Sequence, residues 1–235
     1  MLVNPKDHRG EQFKPAAPGL HPITCCAVIG AGTHFNSNRS AAGYVQTALD
    51  GLGLTWRNTI VWRYNFGPHQ KGKFGLNHQQ LLYYVADSGR FTFNADAVRV
   101  PSDRQTKYRD KRANPLGRVP GDVWHFPRVC GTFKRRVDHA CQTPDELLDR
   151  IVLAYTNPGD LIIDPFAGSG SAGAAALRHG RRYLGCELSP ETAEVARRRL
   201  AQLTRHLSPQ PEGANGAATR PEGAALTDQN WEGGS

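Results

Sequence analysis

Apolar residues fall in short blocks separated by glycine, proline and polar stretches. Residues 23–29 (ITCCAVI) form a β-prone run closed by Gly30 and Gly32, which predicts a buried strand. Across residues 36–52, Ala42, Val45, Ala48, Leu49 and Leu52 recur at helical spacing until Gly53 ends the segment. Residues 59–62 (TIVW) and 81–86 (LLYYVA) predict two further strands. The glycine- and lysine-containing loop 65–75 between them suggests an antiparallel pair at one side of a sheet. Periodicity fades over residues 94–138 and returns at Thr143-Pro-Asp-Glu146, which reads as an N-cap threonine, a proline at the first helical position and a glutamate three residues past the cap. Leu147, Leu148, Ile151, Val152 and Tyr155 then share one helical face, and Asn157-Pro-Gly-Asp160 stops it.

The most informative stretch is 161–187, LIIDPFAGSGSAGAAALRHGRRYLGCE. It predicts a strand delivering Asp164 to its tip, a glycine turn, a small-residue helix over 171–179, a stop at Gly180 and a second strand ending on Glu187. Gly168, Gly170 and Gly173 fit the G-x-G-x-x-G spacing, and an acidic strand end about twenty residues on is placed to take ribose hydroxyls. In dinucleotide-binding chains the first glycine follows the strand directly. Here Asp164-Pro-Phe-Ala167 intervenes and puts a carboxylate where a diphosphate would lie. That disfavours NAD and favours a cationic ligand with an adenosine half. A last helix is predicted from Ser189-Pro190 to about Leu203.

Charge sharpens the picture. The net charge is +8, and residues 99–139 hold 11 Lys/Arg against 4 Asp/Glu, a local +7. Such a focused block, interleaved with Tyr108, Trp124, Phe126 and Phe133, points to a polyanion, most simply nucleic acid. The candidate phosphate contacts are Arg104, Lys107, Arg109, Lys111, Arg112, Arg128, Lys134, Arg135 and Arg136. Five cysteines, with Cys25 and Cys26 adjacent, do not suggest a disulfide framework, so a reducing cytoplasm is the expected location. His125, Cys130, His139 and Cys141 match no common zinc spacing, and no metal site is expected. No apolar run reaches eighteen residues, so no membrane-spanning helix is expected, and the polar, proline-rich start does not read as a secretory signal.

DPFAGSG followed by a small-residue helix and then GCELS resembles the cofactor half of the amino-methylating DNA methyltransferases. His139-Ala-Cys-Gln-Thr-Pro144 is similar to the element that opens the preceding helix in that family. TIVW, NHQQLLYYVA and FNADAVRVPSDRQ look like its edge strands and the approach to its target-recognition region. The order of these elements is that of the family's circularly permuted class. The resemblance implies an α/β, Rossmann-like methyltransferase sheet and transfer of a methyl group from S-adenosylmethionine to the exocyclic amine of adenine or cytosine in double-stranded DNA. It also implies a cofactor pocket with Asp164, Pro165, Phe166, Gly168, Ser169 and Gly170 at the methionine and ribose end. Glu187 would lie on the ribose with Ser189 beside it, and Gln142, Thr143 and Pro144 would form the opposite wall. Departures from the family pattern are Ala140, Thr143 and Ser171, where proline, lysine and threonine are usual.

The family's catalytic tetrapeptide contains Pro-Pro, and no Pro-Pro dipeptide occurs here. Asn4-Pro5, Asn114-Pro115 and Asn157-Pro158 are the nearest candidates. The catalytic residues are therefore unassigned, and the strand that carries them is expected to be missing or replaced, leaving an incomplete sheet that is either marginally stable or completed by a second chain. A catalytically inactive remnant or partner subunit that binds DNA and cofactor is the alternative reading. The expected organisation is an irregular lead-in at 1–22, a methyltransferase-like domain at 23–206 with a recognition insert at 94–138, and a disordered tail at 207–235.

Overall fold

The computed structural model describes residues 42–65, 71–72, 74–129 and 142–207, together with the backbone of residues 26–27. The expected lead-in, most of the first predicted strand and the expected tail past residue 207 lie outside the described residues.

The elements are β1 (Cys26–Ala27), α1 (Ala42–Gly51), β2 (Thr55–Arg63), β3 (His78–Val85), a 3-10 turn (Ala95–Val98), α2 (Asp103–Thr106), β4 (Val123–His125), α3 (Asp145–Tyr155), β5 (Leu161–Asp164), α4 (Ser171–Arg178), β6 (Arg182–Gly185) and α5 (Pro190–Leu207). They form a mixed α/β fold with one four-stranded sheet, ordered β1-β3-β2-β4, and a two-stranded parallel sheet, β5-β6. β3 runs antiparallel to both β1 and β2, while β4 runs parallel to β2.

The core lies between the larger sheet and α3. Ile60, Trp62 and Tyr64 project from alternate positions at β2 and its end, and Leu81, Tyr83 and Val85 do so from β3. They meet Leu147, Leu148, Ile151, Val152 and Tyr155, the apolar stripe of α3. Tyr83 and Tyr155 pack with ring centroids 4.1 Å apart. Each large apolar side chain so buried contributes about 1.5–3 kcal/mol. The run LLYYV does not alternate because both faces of β3 are covered. Leu82 and Tyr84 are also buried, and the Tyr84 phenol donates to Asp50 on α1 at 2.6 Å. Arg150 is buried in the same core, with its guanidinium 5.1 Å from the Trp124 ring and 4.8 Å from Phe126.

Four expectations change. The antiparallel pair β2-β3 occupies the middle of the larger sheet, because β4 adds to the outer edge of β2 in parallel register. The described part of residues 94–138, where periodicity fades, is held by specific bonds. The Asn94 side chain donates to the carbonyls of Leu153 and Thr156, Val100 pairs with Arg118, and Gln105 Oε1 accepts from the Ser102 N–H. Thr143 does not cap α3: Pro144 takes the N-cap position with extended ψ, and Asp145 and Glu146 supply negative charge to the first turn. Finally, β6 ends at Gly185, two residues before Glu187, and α5 continues to Leu207.

These contacts fix the polarity of the site. Asn94 follows β3 and binds the C-terminal carbonyls of α3, so β3 and α3 end at one pole. β2 and β4 run opposite to β3 and end at the other pole, and β5, starting where α3 stops, carries Asp164 toward that same pole. Asn65, His125, Arg128 and Asp164 therefore share one end of the molecule. Among the described residues, no helix is long and apolar enough to cross a membrane.

Candidate functional site

β5 and β6 pair in register from Leu161↔Arg182 to Asp164↔Gly185, so the chain leaves both strands side by side. Backbone bonds then knit the two exits together: Cys186 N–H donates to the Asp164 carbonyl at 2.9 Å and Ala167 N–H to that of Cys186 at 2.8 Å. Gly168 and Gly170 have φ of 49° and 73°, a region that a side chain would strain. A Cβ on Gly170 would also lie 3.1 Å from the Ala196 Cβ of α5, so the turn is seated directly on that helix.

Two carboxylates stand at the strand exits. Asp164 accepts hydrogen bonds from the Phe166 N–H and the Tyr183 phenol, both at 3.1 Å. Glu187 accepts from the Gly168 N–H at 2.8 Å and the Ser189 N–H at 3.0 Å. Glu187 thus holds the glycine turn and the start of α5 with one oxygen each. Burial pushes the Asp164 carboxyl up and the bonds from Phe166 and Tyr183 pull it down, while neighbouring Glu187 raises it again, for a net upward shift. The Tyr183 phenol is pushed well above its ordinary value by burial and then by Asp164.

The residues expected around a pocket are brought together in part. Asp164, Pro165, Phe166, Gly168, Ser169, Gly170, Glu187 and Ser189 form one continuous cluster. Ser169 and Gly170 are buried, while Phe166 is 89% exposed and Leu188 is exposed as well. Gln142 and Pro144 are buried and Thr143 is half-buried at the start of α3. Tyr183 is not among the residues that the sequence singles out, since an aromatic residue inside a strand carries no signal beyond packing.

The basic candidates separate. Arg104, Lys107, Arg109, Lys111 and Arg112 lie on one short stretch. There Arg104 and Arg112 both bind Asp110, at 2.6 and 3.1 Å, and hold its carboxyl well below the usual range. These two cations are therefore shared with an acid rather than fully available. Arg109 adopts φ 49°, and Lys107 sits 5.6 Å from the Tyr108 ring. Arg128 lies over the Tyr64 ring at 5.2 Å, at the Asp164 pole, near the hydrogen-bonded pair Asn65 and His125. Lys134, Arg135 and Arg136 lie outside the described residues, as do Cys130, His139 and Cys141. Among the described residues no cluster of three or more His, Cys, Asp or Glu is arranged to hold a metal.

A cavity of about 340 Å³ lies elsewhere, between β2, β3, β4 and the C-terminal half of α3, lined by Arg57, Tyr83, Phe91, Trp124, Arg150 and Tyr155. The strand-exit residues are not part of that cavity's lining. Their paired carboxylates and glycine turn carry the chemistry that the aromatic cavity lacks.

The family model for "DNA methylase" matches residues 24–198, most of the chain. The chain belongs to the DNA methylase family. Over 155 residues it is 40% identical to the DNA adenine methyltransferase YhdJ of Escherichia coli K12, a match covering 63% of this chain and 53% of that protein. It is 33% identical over 189 residues to the type II methyltransferase M1.MboII of Moraxella bovis, covering 72% and 71% of the two chains. The chain spans about half the length of several curated relatives: 53% of YhdJ and 43% of the type II methyltransferase M.BglII of Bacillus subtilis. Its fold is that of solved DNA methyltransferases. The M1.HpyAVI–SAM complex superposes with a TM-score of 0.53 at 20% identity, covering 70% and 71% of the chains. The cytosine-N4-specific PvuII DNA methyltransferase does so with 0.52 at 13% identity, covering 75% and 65%.

Proposed function

We propose that this DNA methylase binds S-adenosylmethionine at the β5-β6 exits and serves transfer of its methyl group to an exocyclic amine of a base in double-stranded DNA. The observation carrying the proposal is the pair Asp164 and Glu187 on either side of a glycine turn seated on α5. The residues fit that cofactor. Asp164 offers a partly buried negative charge suited to a cationic ligand, Glu187 offers acceptors for a ribose diol, and the positive-φ glycines let the backbone turn tightly between them. Bound there, the sulfonium supplies an activated methyl group. This chain's part is to orient it: Asp164, Pro165, Phe166, Gly168, Ser169 and Gly170 line the methionine and ribose end, Glu187 and Ser189 take the ribose, and Gln142, Thr143 and Pro144 form the opposite wall.

The recognition insert is read as the DNA contact, with Lys107, Arg109 and Lys111 as its least encumbered described cations and Arg104, Arg112, Arg128, Lys134, Arg135 and Arg136 completing the set. Adenine is the first base to test, because the 40% identical relative is a DNA adenine methyltransferase. A further chain is placed alongside β5. Leu161 and Ile163 on one face of β5 are 45% and 58% exposed, and among the described residues β5 pairs only with β6. A strand added there would pair the open edge of β5 and partly cover both side chains. The methylase is taken to act in the cytoplasm.

The test is incorporation of radiolabelled methyl from S-adenosylmethionine into duplex DNA of mixed sequence, followed by nucleoside analysis. N6-methyladenine is the expected product. Loss of label on removing the DNA, with the product appearing only when the chain is present, supports the proposal. Absence of methylated base with cofactor bound reassigns the chain to the binding-only role.

A further inference from the structure

We infer that Arg199, on α5, is the positioning residue that holds the two walls of the proposed cofactor pocket in register. The inference rests on that pocket reading. One wall is the turn at 168–171, and the other is the 142–144 segment that leads into α3. Arg199 reaches the first directly and the second through Asp145, the residue that follows it. Its Nη1 donates to the Ser171 hydroxyl at 2.8 Å, with a longer contact of 3.5 Å to the Ser169 carbonyl, and its Nη2 donates to Asp145 Oδ1 at 2.8 Å.

The surroundings explain why this bridge matters. Asp145 is the first residue of α3 and directly follows Pro144, so fixing its carboxylate fixes the end of the second wall. Ser171 is the first residue of α4, and its hydroxyl lies 3.1 Å from that of buried Ser169 inside the turn. The Arg199 and Asp145 side chains are each 14% exposed, so water competes weakly for their charges. The planar guanidinium suits the task because its nitrogens point to separate acceptors in a fixed fork. α5 adds a steric constraint in the same place through Ala196 beneath Gly170. Asp145 is further tied to Arg178 at 3.6 Å, which also binds Asp149 at 2.7 Å, so the second wall is anchored to α4 as well. Arg199 bonds the turn directly and the residue that follows the second wall, and its contact with a residue assigned to the cofactor is to the Ser169 carbonyl.

A positioning role predicts a specific pattern. Arg199→Gln in the full chain should weaken S-adenosylmethionine and the uncharged-sulfur product S-adenosylhomocysteine by the same factor, about tenfold or more by calorimetric titration. A guanidinium acting on the ligand's charge would instead change the two unequally. Arg199→Lys, which keeps the charge and one arm, should recover part of the loss for both ligands. In the ligand-free protein, Arg199→Gln should speed amide hydrogen exchange by about tenfold or more both over 167–174 and over 145–149. Faster exchange in both segments with equal loss of both ligands supports the inference. Unchanged affinities and exchange in a folded Arg199→Gln protein overturn it, as does faster exchange in one segment alone. Should Arg199→Gln fail to fold, Asp145→Ala releases one arm: weaker binding of both ligands supports the inference, and wild-type binding overturns it. If the unmutated chain binds neither ligand, the pocket reading fails, and the exchange measurement still decides whether Arg199 couples the two segments.

Discussion

The Tyr183 phenol donates a 3.1 Å hydrogen bond to Asp164, so the middle of β6 supports the carboxylate at the tip of β5. Burial drives the Asp164 carboxyl toward its neutral form, and this bond is one of two that oppose the shift. Tyr183→Phe removes a donor that favours the charged form, so the Asp164 pKa should rise further. If the ionised carboxylate holds the cofactor, affinity in the variant should fall at a higher pH than in the wild type as the solution is acidified. Dissociation constants measured across pH check this, and superimposable acid limbs would contradict it.

Small residues on α4 are required by how closely it lies on β6 and α5. A Cβ on Gly173 would sit 2.7 Å from Tyr183 Cε1 and 3.0 Å from Leu200 Cδ1, and the Tyr183 ring is held by its bond to Asp164. Gly173→Ala gains up to about 1 kcal/mol of helix propensity. Overpacking of about 1–3 kcal/mol should exceed that. The expected outcome is a lower melting temperature by circular dichroism; a higher one would show that the α4-β6 packing yields easily.

Acid sensitivity should concentrate where α3 meets α4. Burial pushes the Asp149 carboxyl up, but bonds from His179 at 3.0 Å and Arg178 at 2.7 Å outweigh it, and the net shift is downward. A carboxyl lowered in the folded state contributes stability that is present above its unfolded pKa and lost as pH falls through the folded value. Wild-type stability should therefore decline as pH drops below about 4, the ordinary aspartate value. Asp149→Asn should start less stable at neutral pH and show a shallower decline in that window. Urea titrations at a series of pH values give both slopes.

The recognition insert makes a prediction about charge. Lys107, Arg109 and Lys111 carry no acidic partner among the described ion pairs, whereas Arg104 and Arg112 share Asp110. Replacing the first three with alanine should weaken DNA binding and flatten its salt dependence by about 0.9 in log–log slope for each phosphate no longer neutralised. Replacing Arg104 and Arg112 should reduce the slope less, since Asp110 already offsets part of their charge. Fluorescence anisotropy of a labelled duplex at several salt concentrations separates the two cases.

Much of the fold is legible because burial imposes periods on the sequence. The stripe Leu147, Leu148, Ile151, Val152 and Tyr155 announces α3, and the unbroken run at 81–85 announces a strand, which the structure covers on both faces. The glycine turn is legible for a different reason, since φ of 49° and 73° at Gly168 and Gly170 admits few other residues. The local order within residues 94–129 is not legible. It comes from side chains bonding nearby or distant backbone, such as Asn94 to Leu153 and Gln105 to Asn114, and such bonds have no period. Arg199 is hidden for a related reason: in sequence it is one of three consecutive arginines, and only packing sets it apart from Arg197 and Arg198, which bind Glu194 on the surface.

The proposed cofactor pocket stands or falls on Asp164. Isothermal titration of the full chain with S-adenosylmethionine, beside Asp164→Ala, should give saturable binding for the wild type and affinity weaker by about tenfold or more for the variant, or about 1.4 kcal/mol. Equal affinities in the two proteins, or no heat of binding in either, would contradict the pocket at the β5-β6 exits.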